Sequence, residues 1–256
     1  MWNALDARIA NAASVVESLS ALTGPPLFCD SSGSDRGYRY SQPGRTQYCI
    51  LKSAKAVVAF RSAIVVAQAG FHTEVGTLIR VVAECCTLVH WVAGAAAKDA
   101  QAEYVSAVDL HVERYFADRV RTADAIPEVG RTKQSRVHRM HGKTLDELDG
   151  LGGTLDRPSE ELMESVYRRF SKYVHAAYPE TVDLFGRRLG VLDLSGSSGS
   201  AKDLESAEVL EVFASTVGNA VAAMVALLEP ALIEKLRPPQ QRWVYSMLGR
   251  QDLADQ

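Results

Sequence analysis

The fold is decided by two apolar stretches, ILKSAKAVVAFRSAIVVAQA at residues 50–69 and TEVGTLIRVVAECCTLVHWVAGAAA at residues 73–97. Alanine, valine, leucine and isoleucine dominate both, without the strict apolar/polar alternation of a half-buried strand. Each stretch is also much longer than an ordinary strand. The residues Gly-Phe-His at 70–72 separate them. We therefore expect two central helices with a sharp break near Gly70.

Further segments with helical spacing of apolar residues flank this pair. They are residues 3–22, residues 99–122, residues 203–236 with a kink at Pro230, and a short tail helix at about 240–249. Alternating β-type patterns are nearly missing, and residues 190–194 are the one short strand candidate. The sequence thus predicts an all-α multi-helix bundle with little or no β-structure, formed by a single domain over residues 1–256.

Two segments lack the apolar content of a core element. Residues 24–47 are rich in glycine, proline, serine, aspartate and arginine, which predicts a long loop or arm. Residues 195–201 consist largely of serine and glycine, which predicts a short flexible loop.

Bulk composition limits the classes of function. A chain of 256 residues with 47% hydrophobic and 23% charged residues can bury a core unaided. The net charge of -3 argues against a protein that coats nucleic acid through its overall field, although a local basic patch is compatible with it. Residues 1–8 lack the basic start and apolar stretch that are typical of a secretory signal, and charged residues such as Arg61, Arg80 and Glu84 interrupt the apolar stretches. We expect a cytoplasmic protein with no membrane partner.

Cysteine spacing and the common motifs give no sign of a metal or cofactor. Neither paired CxxC spacing nor the density of a disulfide scaffold is present, so reduced thiols are expected at Cys29, Cys49, Cys85 and Cys86. The sequence contains no GxxxxGK[ST], HExxH or GxSxG motif and no GxGxxG following a strand pattern. We expect neither a cofactor nor a bound metal.

The segment YRRFSKYVH at residues 167–175 concentrates polar groups on one predicted helix. Helical geometry places Arg168, Ser171 and His175 on one face, with Arg169 about a third of a turn from His175. In one interpretation His175 is a general acid or base, an arginine stabilises a phosphate or oxyanion, and Ser171 orients one of them. In the other, His175 caps the end of the helix and the arginines pair with acids.

Arg80 and Glu84 form a second candidate pair, spaced i to i+4 in an otherwise apolar helix. Burial of such charges is costly unless they are paired. They are either a structural ion pair or a pair that positions the Arg168/His175 face or lines a shared cleft. His72 and His90 fall on the central helices and are interpreted as core or rim histidines.

Residues 131–143 form a basic block with five positive charges and no acid. Arg136, Arg139 and Lys143 repeat at helical spacing and could present a cationic stripe to phosphates. The alternative is an ordinary solvated face. His138 and His141 lie in the same block, where the surrounding positive charge disfavours a metal cation.

The stretch AQAGFHTEVGTLIRVVAE at residues 67–84, followed by RRFSKYVH at residues 168–175, resembles a group of bacterial proteins related to the HEPN superfamily. Proteins of that superfamily are helical bundles, often dimeric. Its active members are metal-independent ribonucleases with an Arg-x(4–6)-His motif in a cleft between protomers. Arg169 with five intervening residues, or Arg168 with six, matches this spacing to His175.

The resemblance implies a homodimer that cleaves RNA in a toxin or phage-defence setting, with an antitoxin or defence-system protein as partner. Two other classes stay open. One is a non-catalytic helical scaffold or sensor that binds a partner protein through the basic block or the 24–47 arm. The other is a binder of an anionic small molecule or nucleotide, with Arg80, Arg168 and His175 lining the pocket.

Overall fold

The computed structural model describes residues 2–29, 37–98, 100–117, 172, 200–248 and 250. Its helices are α1 (Trp2–Thr23), α2 (Arg45–Gln68), α3 (His72–Gly94), α4 (Ala102–Ala117), α5 (Ser200–Leu228), a 3-10 helix (Pro230–Lys235) and α6 (Pro238–Met247). Two short strands, β1 (Leu27–Cys29) and β2 (Gly37–Arg39), pair antiparallel. The predicted all-α multi-helix bundle is confirmed.

The core lies between α1, α2, α3 and α5. Helices α2 and α3 pack along each other, both pack on α5, and α1 packs against α2 and α5. The largest fully buried side chains include Leu5, Tyr48, Phe60, Ile79, Trp91, Leu210 and Met224. Full burial of one large apolar side chain contributes about 1.5–3 kcal/mol, so these helices are held chiefly by their apolar faces.

The break between α2 and α3 lies at Gly70, as the sequence predicts. Gly70 is buried and has a φ of 85°, a left-handed conformation that glycine adopts without steric cost. The backbone N–H of Phe71 donates to the Val66 carbonyl across the turn, which closes the end of α2. The two central helices are therefore joined by a very short connection and run side by side.

The arm predicted at residues 24–47 differs from the structure in two respects. It contains the β1–β2 hairpin, in which Phe28 pairs with Tyr38, and its last three residues already belong to α2. Apolar spacing does not predict this start of α2, because residues 45–47 are polar. Arg45 is held by tertiary contacts instead, donating to Asp109 of α4 and to the Ala95 carbonyl.

The C-terminal helices also differ from the predicted boundaries. The helix expected to continue through a kink at Pro230 instead ends at Leu228, and a separate 3-10 helix begins at Pro230, because proline lacks the N–H that would continue the ladder. The tail helix begins at Pro238, since proline is well tolerated in the first turn. Of the predicted 195–201 loop, residues 200–201 belong to α5; residues 195–199 lie outside the described residues, as does the strand candidate at 190–194.

Two of the described helices, His72–Gly94 and Asp203–Leu228, are long and apolar enough to cross a membrane by length and composition alone. Most of each lies buried inside the bundle. Buried core helices have the same length and composition, so these two helices give only weak support to a membrane segment.

Candidate functional site

Most site residues predicted from the sequence lie outside the described residues. These are the motif residues Arg168, Arg169, Ser171 and His175 and the basic-block residues Arg136, Arg139 and Lys143. Arg80 and Glu84 are described. Of the predicted site residues, the structure therefore places this pair on α3.

Arg80 and Glu84 form the predicted ion pair on α3. The Arg80 Nη1 atom donates to Glu84 Oε2 over 2.8 Å. The Arg80 side chain is 9% exposed and that of Glu84 is 35% exposed, so the pair reaches the surface through its carboxylate. This pairing satisfies a guanidinium that would otherwise be costly to bury.

Helix α2 brings further positive charge to this part of α3. Tyr48, Lys52 and Lys55 are spaced four and three residues apart, which places them on one face of α2. Burial raises the pKa of the Cys85 thiol on α3, while Lys52 and Lys55 act in the opposite direction. Both lysines are therefore within electrostatic range of the residue next to Glu84.

Helix α4 completes the group with His111 and Tyr115, one turn apart. The Tyr48 hydroxyl lies 2.8 Å from His111 Nε2, and the rings of Tyr48 and Tyr115 have centroids 4.8 Å apart. The ammonium of Lys52 lies 4.7 Å from the Tyr115 ring centroid and 5.5 Å from that of Tyr48. Trp91 of α3 packs edge to face against His111 at 5.0 Å. We call Tyr48, Lys52, Trp91, His111 and Tyr115 the aromatic–cation cluster.

The protonation of this cluster follows from burial. Burial, with added repulsion from Lys52 and Arg114, lowers the pKa of His111 to about 4, so the imidazole is neutral at neutral pH. Tyr48 is fully buried, and burial raises the pKa of its phenol, which stays protonated. A buried hydroxyl needs an acceptor, and His111 Nε2 is the one it contacts. The proton of neutral His111 therefore resides on Nδ1.

Two acids, Glu84 of α3 and Asp109 of α4, are engaged with arginines. Glu84 pairs with Arg80, and Asp109 pairs with Arg45, whose Nη2 lies 2.7 Å from Oδ1. Within the described ranges, no carboxylate forms an ion pair with Lys52. The cluster thus carries local positive charge in a chain whose net charge is -3.

A serine, a histidine and an aspartate also meet where α3 begins. His72 Nδ1 lies 2.7 Å from Ser206 Oγ, and His72 Nε2 lies 3.2 Å from Asp203 Oδ1, outside hydrogen-bond geometry. Ser206 is 6% exposed and the His72 side chain 7%, so a substrate could not reach the hydroxyl. The contact joins α3 to α5, which agrees with the interpretation of His72 as a core histidine.

No group of three histidine, cysteine, aspartate or glutamate side chains in the described part of the chain could hold a metal ion. Cys49, Cys85 and Cys86 are buried free thiols, and burial raises the pKa of each. These thiols are therefore protonated and unreactive at neutral pH.

The sequence alone did not identify Lys52 or His111. Each lies one turn from a tyrosine on its own helix, Tyr48 and Tyr115 respectively, and this spacing was the available signal. A spacing of four residues within each helix does not indicate which faces of α2 and α4 pack together. The cluster can therefore be identified only from the folded structure.

Comparison of the chain with family models, with curated proteins and with solved structures finds no match.

Proposed function

We propose that this protein is a HEPN-like, metal-independent endoribonuclease that acts as a homodimer in a toxin or phage-defence setting. His175 and Arg168 or Arg169 are the proposed catalytic residues. The observation that supports the proposal is the position of Lys52 and Lys55 on one face of α2, within electrostatic range of Cys85 next to the Arg80–Glu84 pair. Clustered cations attract the phosphates of a nucleic acid.

In the proposed reaction His175 removes the proton of a ribose 2′-hydroxyl, and the 2′-oxygen attacks the adjacent phosphorus. The bond from phosphorus to the 5′-oxygen breaks, and the leaving oxygen takes up a proton. An arginine stabilises the negative charge on the phosphoryl oxygens, and Ser171 orients His175 or the arginine. The products are a 2′,3′-cyclic phosphate and a 5′-hydroxyl, and no step requires a metal.

The test is incubation of purified wild-type protein and His175→Ala with mixed RNAs in EDTA. We expect cleavage by the wild type, and a loss of about 10²–10⁴-fold in His175→Ala, the usual contribution of a general acid or base. Arg168→Gln and Arg169→Gln identify which arginine acts. Arg61→Gln is the matched control, because Arg61 is exposed on the opposite face of α2 from Lys52.

Two results would contradict the proposal: cleavage that stops when EDTA is added, or cleavage that is unchanged in His175→Ala. The proposed dimer is tested separately by light scattering, with an expected mass of twice that of one chain. A monomer that cleaves RNA would overturn the dimer while leaving the ribonuclease proposal in place.

A second candidate is a non-catalytic scaffold or sensor that binds an anionic small molecule or nucleotide. The observation that favours it is the half-buried ammonium of Lys52, with which no described carboxylate pairs, whereas Arg80 is buried and already engaged by Glu84. Titration calorimetry with nucleoside triphosphates distinguishes the two candidates. Saturable binding with RNA left intact supports the sensor, whereas RNA cleavage supports the ribonuclease.

A further inference from the structure

Lys52 differs from an ordinary surface lysine because its ammonium is held in place. Lysine has a flexible four-carbon stem, and ordering that stem costs conformational entropy. Here the ammonium contacts the faces of Tyr48 and Tyr115, and these cation–π contacts offset part of that cost. The rings therefore position a half-buried positive charge at the junction of α2 and α4.

Charge balance around Lys52 favours an anionic ligand. The carboxylates of Glu84 and Asp109 are engaged with arginines, and no carboxylate of the described residues pairs with Lys52. Lys52 is also close enough to His111 to lower the pKa of its imidazole. The positive charge of Lys52 is therefore available to an anionic ligand.

His111 supplies a second, neutral donor. Its Nε2 accepts from the Tyr48 hydroxyl, so the imidazole proton is on Nδ1. Nδ1 makes no hydrogen bond to the described residues. An ammonium and an adjacent N–H donor are groups that bind phosphate oxygens.

The aromatic surface beside these donors favours a nucleic acid strand over a free anion. Tyr115 is 38% exposed and lies directly under the Lys52 ammonium. Proteins that bind single-stranded nucleic acids combine cations that contact the backbone with aromatic rings that contact the bases. Lys52 and Tyr115 provide this combination on neighbouring helices.

We propose that Lys52 and His111 form a phosphate-binding subsite for single-stranded RNA, distinct from the residues that carry out the reaction. The inference rests on the proposed ribonuclease function, because it names how the same enzyme holds its substrate. Lys52 contributes charge to a backbone phosphate, and the His111 Nδ1–H contributes a hydrogen bond.

The experiment measures fluorescence anisotropy of a short, fluorescein-labelled single-stranded RNA of mixed sequence across a series of NaCl concentrations. The parent protein carries His175→Ala, so that the RNA stays intact. Adding Lys52→Gln should weaken binding about three- to tenfold and reduce the slope of log affinity against log salt by about 0.7, the loss of one phosphate contact to a single strand. Adding Lys52→Arg should preserve the slope.

Lys235→Gln in the same parent is the matched control, because Lys235 bonds Ser18 of α1 rather than the cluster. Lys52→Met is a second neutral variant that keeps the apolar stem over the rings, and thermal melting checks the fold of each variant. If the parent binds RNA and both neutral variants bind with the same affinity and slope, the subsite is overturned while the ribonuclease proposal stands. If the parent does not bind RNA at all, both are overturned.

Discussion

Tyr48 illustrates how one buried side chain determines the chemical state of its neighbour. Its ring is fully buried and packs against His111 and Tyr115 of α4, and its hydroxyl contacts a single polar group, His111 Nε2. Donation from the phenol to Nε2 is the arrangement that satisfies the buried hydroxyl, and it assigns the imidazole proton to Nδ1. The donor at Nδ1 is therefore a consequence of the burial of the Tyr48 hydroxyl.

The neutral state of His111 predicts how stability varies with pH. Its pKa is about 4 in the folded protein against 6.5 when unperturbed, so between these values the unfolded chain binds more protons. The stability that this group contributes is complete above pH 6.5 and is lost as pH falls toward 4. We expect a loss of about 1–2 kcal/mol, after allowance for partial exposure.

Urea unfolding of wild type and His111→Gln at the two ends of this pH range measures the effect. His90 is common to both proteins, and burial likewise lowers its pKa to about 4, so the difference between them isolates His111. An identical loss of stability in the two proteins would show that His111 does not titrate in this way.

At the residue scale, the sequence predicted contacts within one helix and missed contacts between helices. The Arg80–Glu84 pair follows from a spacing of four residues, which brings two side chains together on any helix. Tyr48 and His111 are 63 residues apart, and no local rule indicates that their faces meet. Residues 168–175 were singled out by helical spacing and by the resemblance, and their roles stay predictions.

At the element scale, helix ends depend on backbone conformation as much as on apolar spacing. α1 ends at Thr23, and Gly24 follows with a φ of 77°. A Cβ atom built at Gly24 would meet no heavy atom within 4 Å. The cost of a side chain there is therefore conformational rather than steric.

We expect Gly24→Ala to lower the free energy of unfolding by about 1 kcal/mol, because alanine adopts a left-handed backbone reluctantly. Gly24→Asn should cost less, since asparagine tolerates this conformation better. Urea denaturation of the two variants compares residues at the same open position. Equal losses would mean that backbone conformation does not determine the end of α1.

The element boundaries show where sequence patterns stop being informative. Apolar spacing located the buried parts of α2 and α3, because burial requires it. It could not locate the start of α2 at Arg45, which depends on Asp109 of a different helix. It also missed the β1–β2 hairpin, whose strands have three residues each and whose Phe28 and Tyr38 rings stack edge to face at 5.2 Å.

At the scale of the whole molecule, polar contacts tie together helices that are distant in sequence. The bond between His72 and Ser206 joins α3 to α5 across 134 residues, and both side chains are nearly buried. Removing one partner of a buried hydrogen bond leaves the other unsatisfied, which costs about 1–3 kcal/mol.

We therefore expect Ser206→Ala to destabilise the protein by about 1–2 kcal/mol in chemical denaturation. Ser106→Ala is the matched control, because the exposed Ser106 hydroxyl bonds only the Ala102 carbonyl of its own helix. A Ser206→Ala protein as stable as Ser106→Ala would mean that the His72 contact contributes nothing to the packing of α5 on α3.

Whole-chain properties predicted the architecture better than the site. High apolar content in long helical segments is enough to specify a bundle, because each apolar face must be buried against another. The net charge of -3 gives no indication of the uncompensated lysine between α2 and α4, since it averages over the whole chain. Local charge depends on which acids are engaged, and that is a property of the folded structure.

The short turn at Gly70 also has a kinetic consequence. Helices α2 and α3 are neighbours in sequence, so bringing them together costs little loop-closure entropy. Contact between α3 and α5 closes a far longer loop and costs more. Contacts that are local in sequence form fastest. The α2–α3 hairpin should therefore assemble first during refolding and provide the template on which α1 and α5 subsequently dock.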